Sequence, residues 1–375
     1  MLQRRLDAWV GIPLVFLAGL ANRARRVCVK PSPEPGEIRR VGVLCLGAIG
    51  DLLLASGLLS GLRRELPNAT IEIIVSKANA PCGALLHPAY DTAVFAVADV
   101  PALVRHVRSR RYDLFIDIGQ WPRISALIAA LSGAGRTVGF STPGQFRHYA
   151  YDHAVPHRDD CHELNNFLAL GRVVFPHLAG EPEIVVPETG GTATIALPEN
   201  AVLCHMWPSG LKSSLKEWPQ EYWAELAQRL LAGGYVSVFT GGPGDAAATE
   251  AFMRDFLPDG CGAVSLAGRV SLPDLARHIQ GVRAVVSVNT GIMHLAAILG
   301  APTVALHGPT NPLRWGPVGP RAISLLPEKG HCAYLNLGFE YPVGAEAVMR
   351  HLPVSHVLSA LVVCGLDVQE VPADS

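Results

Sequence analysis

Three short segments place glycine, hydroxyl and charged side chains where apolar runs end. The first is LGAIGD at residues 46–51, in which Gly47 and Gly50 occupy the turn after an apolar run and Asp51 opens the next amphipathic stretch. Glycines in such a turn let a ligand come close to the backbone. Asp is favoured at a helix start by capping and by the helix dipole, so a structural role for Asp51 stays open on this motif alone.

The second segment, PSGLKSSLKEWP at residues 208–219, is a polar loop that carries Ser209, Lys212 and Lys216. Lysine charges and backbone N–H groups beside a helix start suit a diphosphate. The spacing alone supports a solvated surface loop equally well.

The third segment, VNTGIMHLA at residues 288–296, runs from a buried strand into a helix. The hydroxyl of Thr290 and the N–H of Gly291 can donate to a phosphate, and His294 can reach the same oxygen. A single histidine on a first helical turn is more often structural. The loop at residues 307–317 is expected to converge on the same cleft.

A histidine-rich loop at residues 147–163 raises the question of a metal site. Its histidines and cysteine are His148, His153, His157, His162 and Cys161. Their spacings fit no recognised set of metal ligands, so we expect a polar loop that faces the acceptor rather than a metal centre. The chain also lacks a D-x-D motif.

These segments need a scaffold that brings strand ends together. Short apolar runs alternate with amphipathic stretches, which is typical of βαβ units. Strands are predicted at residues 41–46, 70–75, 113–118, 201–206, 235–240, 284–288 and 303–308. A Pro/Gly/Thr-rich linker at residues 180–199 divides this series in two. The sequence therefore predicts an α/β protein of two Rossmann-like lobes facing a central cleft, with ligands at the carboxyl ends of the strands.

Length and composition agree with this organisation. A chain of 375 residues with 49% hydrophobic and 17% charged residues fits two well-packed domains and excludes a disordered chain. A net charge of -1 offers no electrostatic footprint for nucleic acid. The scattered cysteines indicate reduced thiols in a cytosolic protein.

The N-terminal segment is apolar from Trp9 to Ala21 and has arginines on both sides. It is shorter than the ~20 apolar residues of a transmembrane helix, and a short apolar stretch with basic flanks suits an anchor on an anionic membrane surface. Two alternatives stay open: a helix packed on the protein's own core, and a signal peptide, although no convincing cleavage site follows.

Taken in order, the motifs resemble those of glycosyltransferase family 9, the ADP-heptose:lipopolysaccharide heptosyltransferases. The set is LGAIGD, K-x-W-P, GGPGD, N-T-G-x-x-H-L-A and G-P-T-N-P, and the resemblance covers about residues 38–365. It implies a GT-B fold and an inverting, metal-independent transfer from a nucleotide-diphosphate sugar, without a cofactor.

The resemblance also implies roles for single residues. Asp51 matches the general base, with Gly47 and Gly50 in the turn on the acceptor side. Asp245 matches an acidic residue that hydrogen-bonds the nucleotide ribose, as paired vicinal hydroxyls require. The residues implied to bind the donor diphosphate are Ser209, Lys216, Thr290, Gly291 and His294. Asn289 departs from the family, which usually has Asp at this position, so the identity of the donor sugar is less certain than the fold.

These roles imply four parts of the chain. Residues 1–37 form the apolar segment and hinge, 38–185 the acceptor-binding domain, 200–342 the nucleotide-sugar-binding domain, and 343–375 a C-terminal helix that packs back on the first domain. The expected partners are ADP-heptose, a lipid-linked glycan acceptor and the inner-membrane surface, with the protein peripheral on the cytoplasmic face.

Other functions stay open. A same-fold transferase or epimerase could use a different nucleotide sugar, and a catalytically silent protein could bind one at the membrane. A dinucleotide oxidoreductase is disfavoured because LGAIGD lacks the G-x-G-x-x-G spacing.

Overall fold

The chain folds into two units, each built on one parallel sheet. The computed structural model describes residues 7, 9–27, 33–188, 195–258, 260–338 and 340–368, and the units are Met1–Val185 and Val186–Ser375. Central strand residues such as Ile73 and Val285 are fully buried. This burial explains the apolar runs, because strands covered by helices on both faces meet little water.

The described residues of the first unit form six strands and six helices. The strands are β1 Arg40–Cys45, β2 Thr70–Ser76, β3 Tyr90–Phe95, β4 Leu114–Asp117, β5 Arg136–Ser141 and β6 His153–Pro156. The helices are α1 Gly11–Val27, α2 Ile49–Glu65, α3 Ala80–Gly83, α4 Val100–Arg110, α5 Arg123–Leu131 and α6 Glu163–Arg172. Short 3-10 turns occur at Pro35–Glu37 and Arg147–Ala150.

The strand order in this sheet is β3-β2-β1-β4-β5-β6, and every pair is parallel. The order reverses between β1 and β4, where Val41 is paired with both Ile71 and Leu114. Loops leaving the two strands at such a switch point diverge to opposite faces of the sheet and open a crevice for ligands.

The second unit repeats this plan with the order β12-β11-β10-β7-β8-β9. Its strands are β7 Ala201–His205, β8 Val236–Thr240, β9 Val264–Ser265, β10 Ala284–Val288, β11 Thr303–Leu306 and β12 Ala322–Leu325. Its helices are α7 Gln220–Ala232, α8 Ala246–Phe256, α9 Leu272–Gly281, α10 Gly291–Ile298, α11 Pro312–Trp315 and α12 Val354–Val363. Short 3-10 turns lie at Ser213–Lys216, Pro243–Asp245 and Val348–His351.

The C-terminal helix α12 lies in the core of the second unit. Val357 and Leu361 are fully buried in the same apolar cluster as Trp218 and Trp223, and the indole N–H of Trp218 donates to the carbonyl of Leu352 at 2.8 Å. The expectation that residues 343–375 pack back on the first domain stays a prediction. The apolar face of α12 packs within its own unit, in the same cluster as residues of α7.

The N-terminal helix α1 packs on the first unit along one face. Val15 is buried in a cluster with Ala126 and Ala150, and a Cβ added at Gly19 would collide with the backbone carbonyl of Tyr149. The opposite face is exposed and apolar. The large exposed residues on this face and in the two positions before the helix are, with their exposed fractions, Trp9 81%, Val10 50%, Leu14 43%, Phe16 47%, Leu17 59% and Leu20 54%.

Candidate active site

Asp51 lies at the switch point of the first sheet. It is the third residue of α2, and its Oδ2 accepts the N–H of Ala48 at 3.0 Å. A Cβ added at Gly47 would collide with the Asp51 carboxylate, so the glycine makes room for the acid. Gly50 is the second residue of α2. LGAIGD therefore forms a strand–turn–helix that holds a carboxylate at the carboxyl end of β1.

The pKa of Asp51 is raised from 3.8 to about 6, with burial as the main cause. The Ala48 N–H opposes this rise, the Glu163 carboxylate adds to it, and Gln120 and His157 oppose it. A carboxyl group with a pKa near 6 is a stronger base than an ordinary aspartate and is still largely ionised at neutral pH.

A buried polar network lies next to Asp51. Glu163, the first residue of α6, is fully buried and accepts hydrogen bonds from Gln120 Nε2 at 2.6 Å and Asn166 Nδ2 at 3.0 Å. Its two oxygens also lie 3.0 and 3.1 Å from Nε2 of His157. The motifs in the sequence assigned no role to Gln120 or Glu163. Their contact could be found only from the strand order. It places the loop after β4, which carries Gln120, beside the loop after β1.

A buried ion pair fixes the loop that carries Gln120. Asp117 Oδ2 lies 2.7 Å from Arg147 and accepts the Tyr151 hydroxyl at 2.6 Å, and all three residues are buried. The second oxygen of Asp117 accepts the N–H of Gly119 at 2.8 Å. The chain leaving β4 is thereby held in place, because a buried charge pair keeps its geometry when hydrogen bonds satisfy its oxygens.

In the second unit, the loop after β7 carries the two lysines in different environments. Lys216 Nζ donates to the backbone carbonyl of Ser209 at 3.1 Å, and burial lowers the pKa of Lys216. Gly210 between them has a φ of 90°, a left-handed conformation that favours glycine. Lys212 instead lies over the ring of Tyr341, with Nζ 4.9 Å from the centroid.

Asp245 caps the short turn after β8. Its Oδ2 accepts the N–H of Gly242 at 2.8 Å. Beside it, Trp207 Nε1 donates to Thr249 Oγ1 at 2.8 Å, and that hydroxyl in turn donates to the Asp245 carbonyl at 2.8 Å. These bonds join the loop after β7 to the start of α8.

Asn289 follows β10, and its amide group is engaged by the protein. Its Nδ2 donates to the carbonyl of Trp315 at 3.0 Å and lies 3.4 Å from Nδ1 of His307. Burial lowers the pKa of His307 to about 3, so this ring is neutral. A carboxylate at position 289 could not donate to the Trp315 carbonyl, so the asparagine suits its surroundings here.

Thr290 and Gly291 form the start of α10, and His294 is buried one turn further on. Thr290 Oγ1 lies 3.3 Å from Ser287 Oγ. Together with Ser209, Lys216, Asp245 and Asn289, these residues follow β7, β8 and β10. Those strands are neighbours in the sheet, so the candidate donor residues share one edge of the second unit.

The histidine-rich loop does not form a metal site in the described part of the chain. There, no three His, Cys, Asp or Glu side chains are grouped so as to hold a metal ion. His157 is instead a partner of Glu163. The sequence missed this role because the partner lies on α6, and the pairing depends on the tertiary fold.

Two sheets of Rossmann-like order, with candidate site residues at their switch points, place the protein in the GT-B class of glycosyltransferase folds. The structure of E. coli ADP-heptose lps heptosyltransferase II matches with a TM-score of 0.70 and 21% sequence identity, over 87% of this chain and 98% of that chain. E. coli heptosyltransferase WaaC with ADP matches with a TM-score of 0.65 and 20% identity, over 87% of this chain and 99% of that chain.

The chain belongs to glycosyltransferase family 9. The family model described as "Glycosyltransferase family 9 (heptosyltransferase)" matches residues 100–335, more than half of the chain. Lipopolysaccharide heptosyltransferase 1 of Pseudomonas aeruginosa is 38% identical over 29% of this chain and 30% of its own length. The same-named protein of E. coli O18:K1:H7 is 25% identical over 73% of this chain and 87% of its own. The match thus spans only about a third of the Pseudomonas aeruginosa relative.

Proposed function

We propose that this chain is an inverting glycosyltransferase that moves a heptose from ADP-heptose onto a lipopolysaccharide core or a related lipid-linked glycan. The observation that carries the proposal is Asp51, a carboxylate at the switch point of the first sheet whose pKa is raised to about 6. In the reaction, the Asp51 carboxylate takes the proton of the acceptor hydroxyl. The acceptor oxygen bonds to the anomeric carbon, and the bond to the nucleoside diphosphate breaks with inversion.

The residues of the second unit would hold the donor. Lys216 and the start of α10, with Thr290, Gly291 and His294, supply positive charge and donors for the leaving diphosphate, and Ser209 lies on the same loop as Lys216. Charge that develops on the leaving group is then stabilised without a metal ion. Asp245 would accept from the ribose hydroxyls.

Asn289 would contact the donor sugar. Its NH2 group donates to the Trp315 carbonyl, which leaves Oδ1 to accept from a sugar hydroxyl. An amide oxygen and a carboxylate oxygen accept the same bond, but the amide brings no charge. Asn at this position is therefore compatible with a neutral sugar such as a heptose.

Release of nucleoside diphosphate tests this function. The full chain is incubated with ADP-heptose, with UDP- and GDP-sugars, and with or without a rough-core lipid acceptor. We expect release that needs the acceptor and favours ADP-heptose. Tight binding without turnover would indicate a silent binding protein, and conversion of the donor without acceptor would indicate an epimerase. Either result would overturn the proposal.

We further propose that α1 holds the protein on the cytoplasmic face of the inner membrane. Among the residues that the structure describes, no helix has the length and apolar character needed to cross a membrane. The outer face of α1 nevertheless exposes Leu17, Leu20 and Arg23, and Trp9 is exposed just before the helix. An apolar helix face with an aromatic residue and basic charge suits an anionic bilayer surface.

Vesicle flotation tests this attachment. Leu17→Gln with Leu20→Gln should reduce binding to vesicles that contain phosphatidylglycerol and leave turnover of a water-soluble acceptor intact. Leu231→Gln is the matched control, because Leu231 is 42% exposed on α7 of the second unit. Unchanged flotation of the double variant would refute the proposal, and a change from dimer to monomer would assign the face to a second copy of the chain.

A further inference from the structure

Several side-chain donors converge on one buried carboxylate in the network beside Asp51, which is more than the loop needs in order to fold. Glu163 is fully buried, yet side-chain donors from Gln120, His157 and Asn166 converge on its two oxygens. Asn166 Nδ2 also donates to the carbonyl of Arg158 at 2.9 Å. Such a set of bonds keeps a buried carboxylate in one position.

Gln120 connects this carboxylate to Asp51. Its Nε2 donates to Glu163 at 2.6 Å, and its side chain also hydrogen-bonds Asp51. An amide nitrogen carries two hydrogens, so one NH2 group can serve both acids. The backbone of Gln120 is itself fixed, because its carbonyl accepts the hydroxyl of Thr142 at 2.7 Å.

His157 does not cancel the effect of Glu163 on Asp51. Its Nε2 faces two carboxylate oxygens and therefore carries a hydrogen. Its Nδ1 is buried and has no hydrogen-bond partner within the described chain. Glu163 is nevertheless the larger influence on Asp51, because its carboxylate raises the pKa of Asp51 more than His157 lowers it.

We infer that Gln120 and Glu163 are positioning residues for Asp51: the Gln120 amide orients the proposed base, and Glu163 supplies a fixed negative charge beside it. The inference rests on the proposed function, in which Asp51 is the base. Two further titratable groups lie at this end of the sheet. Cys45 on β1 is buried, which raises the pKa of its thiol well above the ordinary value, and Asp117 on β4 is paired with Arg147.

Two substitutions have opposite predicted effects on the pH profile of kcat/KM. Glu163→Gln removes a negative charge, so the pKa of Asp51 falls and the acidic limb of the profile moves to lower pH. Gln120→Met keeps the length of the side chain but removes the donor to Asp51, so the limb moves to higher pH. A shift of at least about 0.5 pH unit is expected in each case. A network with only a structural role would lower kcat or Tm without moving the limb in opposite directions.

Nucleoside diphosphate release by the full chain gives these profiles between about pH 5 and pH 9. Asp255→Asn is the matched control, because Asp255 forms an exposed pair with Arg254 on α8 of the second unit. Its acidic limb should stay at the wild-type pH. If the acidic limbs of both variants stay at the wild-type pH, the inference is overturned. If Glu163→Gln does not fold, the profile of Gln120→Met decides alone. An active Asp51→Asn variant would instead show that the proposed function has the wrong base.

Discussion

Asp51→Asn separates chemistry from structure at the proposed base. The amide keeps the shape of the side chain and can still accept the N–H of Ala48, which the carboxylate accepts at 3.0 Å, but it cannot take a proton. Asn also caps helices about as well as Asp. We therefore expect kcat to fall ~10²–10⁴-fold while the affinity for the donor stays unchanged.

The same substitution should raise the free energy of unfolding at high pH, whereas the loss of a helix cap would lower it. The pKa of Asp51 is 3.8 in the unfolded chain and about 6 in the folded protein. Between these two pH values Asp51 is protonated in the folded protein but ionised in the unfolded chain. The free energy of unfolding therefore falls as pH rises through this range, and the full loss is present above about pH 6. The difference corresponds to at most ~3 kcal/mol, and less because Asp51 keeps some contact with solvent. The variant should be more stable than wild type at about pH 8 and equal to it near pH 4.

Thermal unfolding at both pH values, donor binding and nucleoside diphosphate release measure these effects. Asp99→Asn is the control for capping alone, because Asp99 accepts the N–H of Ala102 at the exposed start of α4. It should change neither turnover nor the pH dependence of Tm. Near-normal turnover of Asp51→Asn, or a lower Tm at pH 8, would refute the reasoning.

Three further predictions test other parts of the molecule. Lys216→Ala should lower kcat/KM roughly ten- to hundredfold by loss of a charge-assisted contact, and Lys212→Ala should lower it less; equal effects would contradict the assignment. Asn289→Asp should alter the ranking of donors in the release assay and cost about 1–3 kcal/mol in urea unfolding, because the carboxylate cannot donate to the carbonyl that the amide contacts. Arg147→Met should cost ~3–5 kcal/mol, because Asp117 would be left buried without its partner; a loss below 1 kcal/mol in urea unfolding would disprove this.

Much of the scaffold could be predicted because buried parallel strands are apolar throughout. The run at 284–288 is β10 to the residue, and the run at 70–75 differs from β2 by one residue. The edge strands β3 and β12 escaped notice because they are largely exposed or half-buried and mix polar with apolar residues. The GT-B fold and the family were both predicted correctly.

The grouping of residues in the candidate site could be predicted only where they are close together in the sequence. Asp51 with its glycine turn, and Thr290 with Gly291, lie within single motifs. Glu163 and Gln120 are 43 residues apart, and their contact follows from the strand order, which the sequence pattern does not give. The same is true of the bond from Asn289 to Trp315, which depends on how the loop after β11 folds back.

The close packing of α1 has a consequence for the acceptors that the proposed transferase could use. Gly19 lies against the backbone at Tyr149, and Asp7 pairs with the buried Arg123, so the helix is part of the first unit and not a tether with free reach. With the outer face of α1 on a bilayer, Asp51 would stand at a fixed height above the lipid headgroups. The proposed attachment would then select acceptors by length. It would favour a hydroxyl at one fixed number of sugars from the lipid over hydroxyls on shorter or longer glycans.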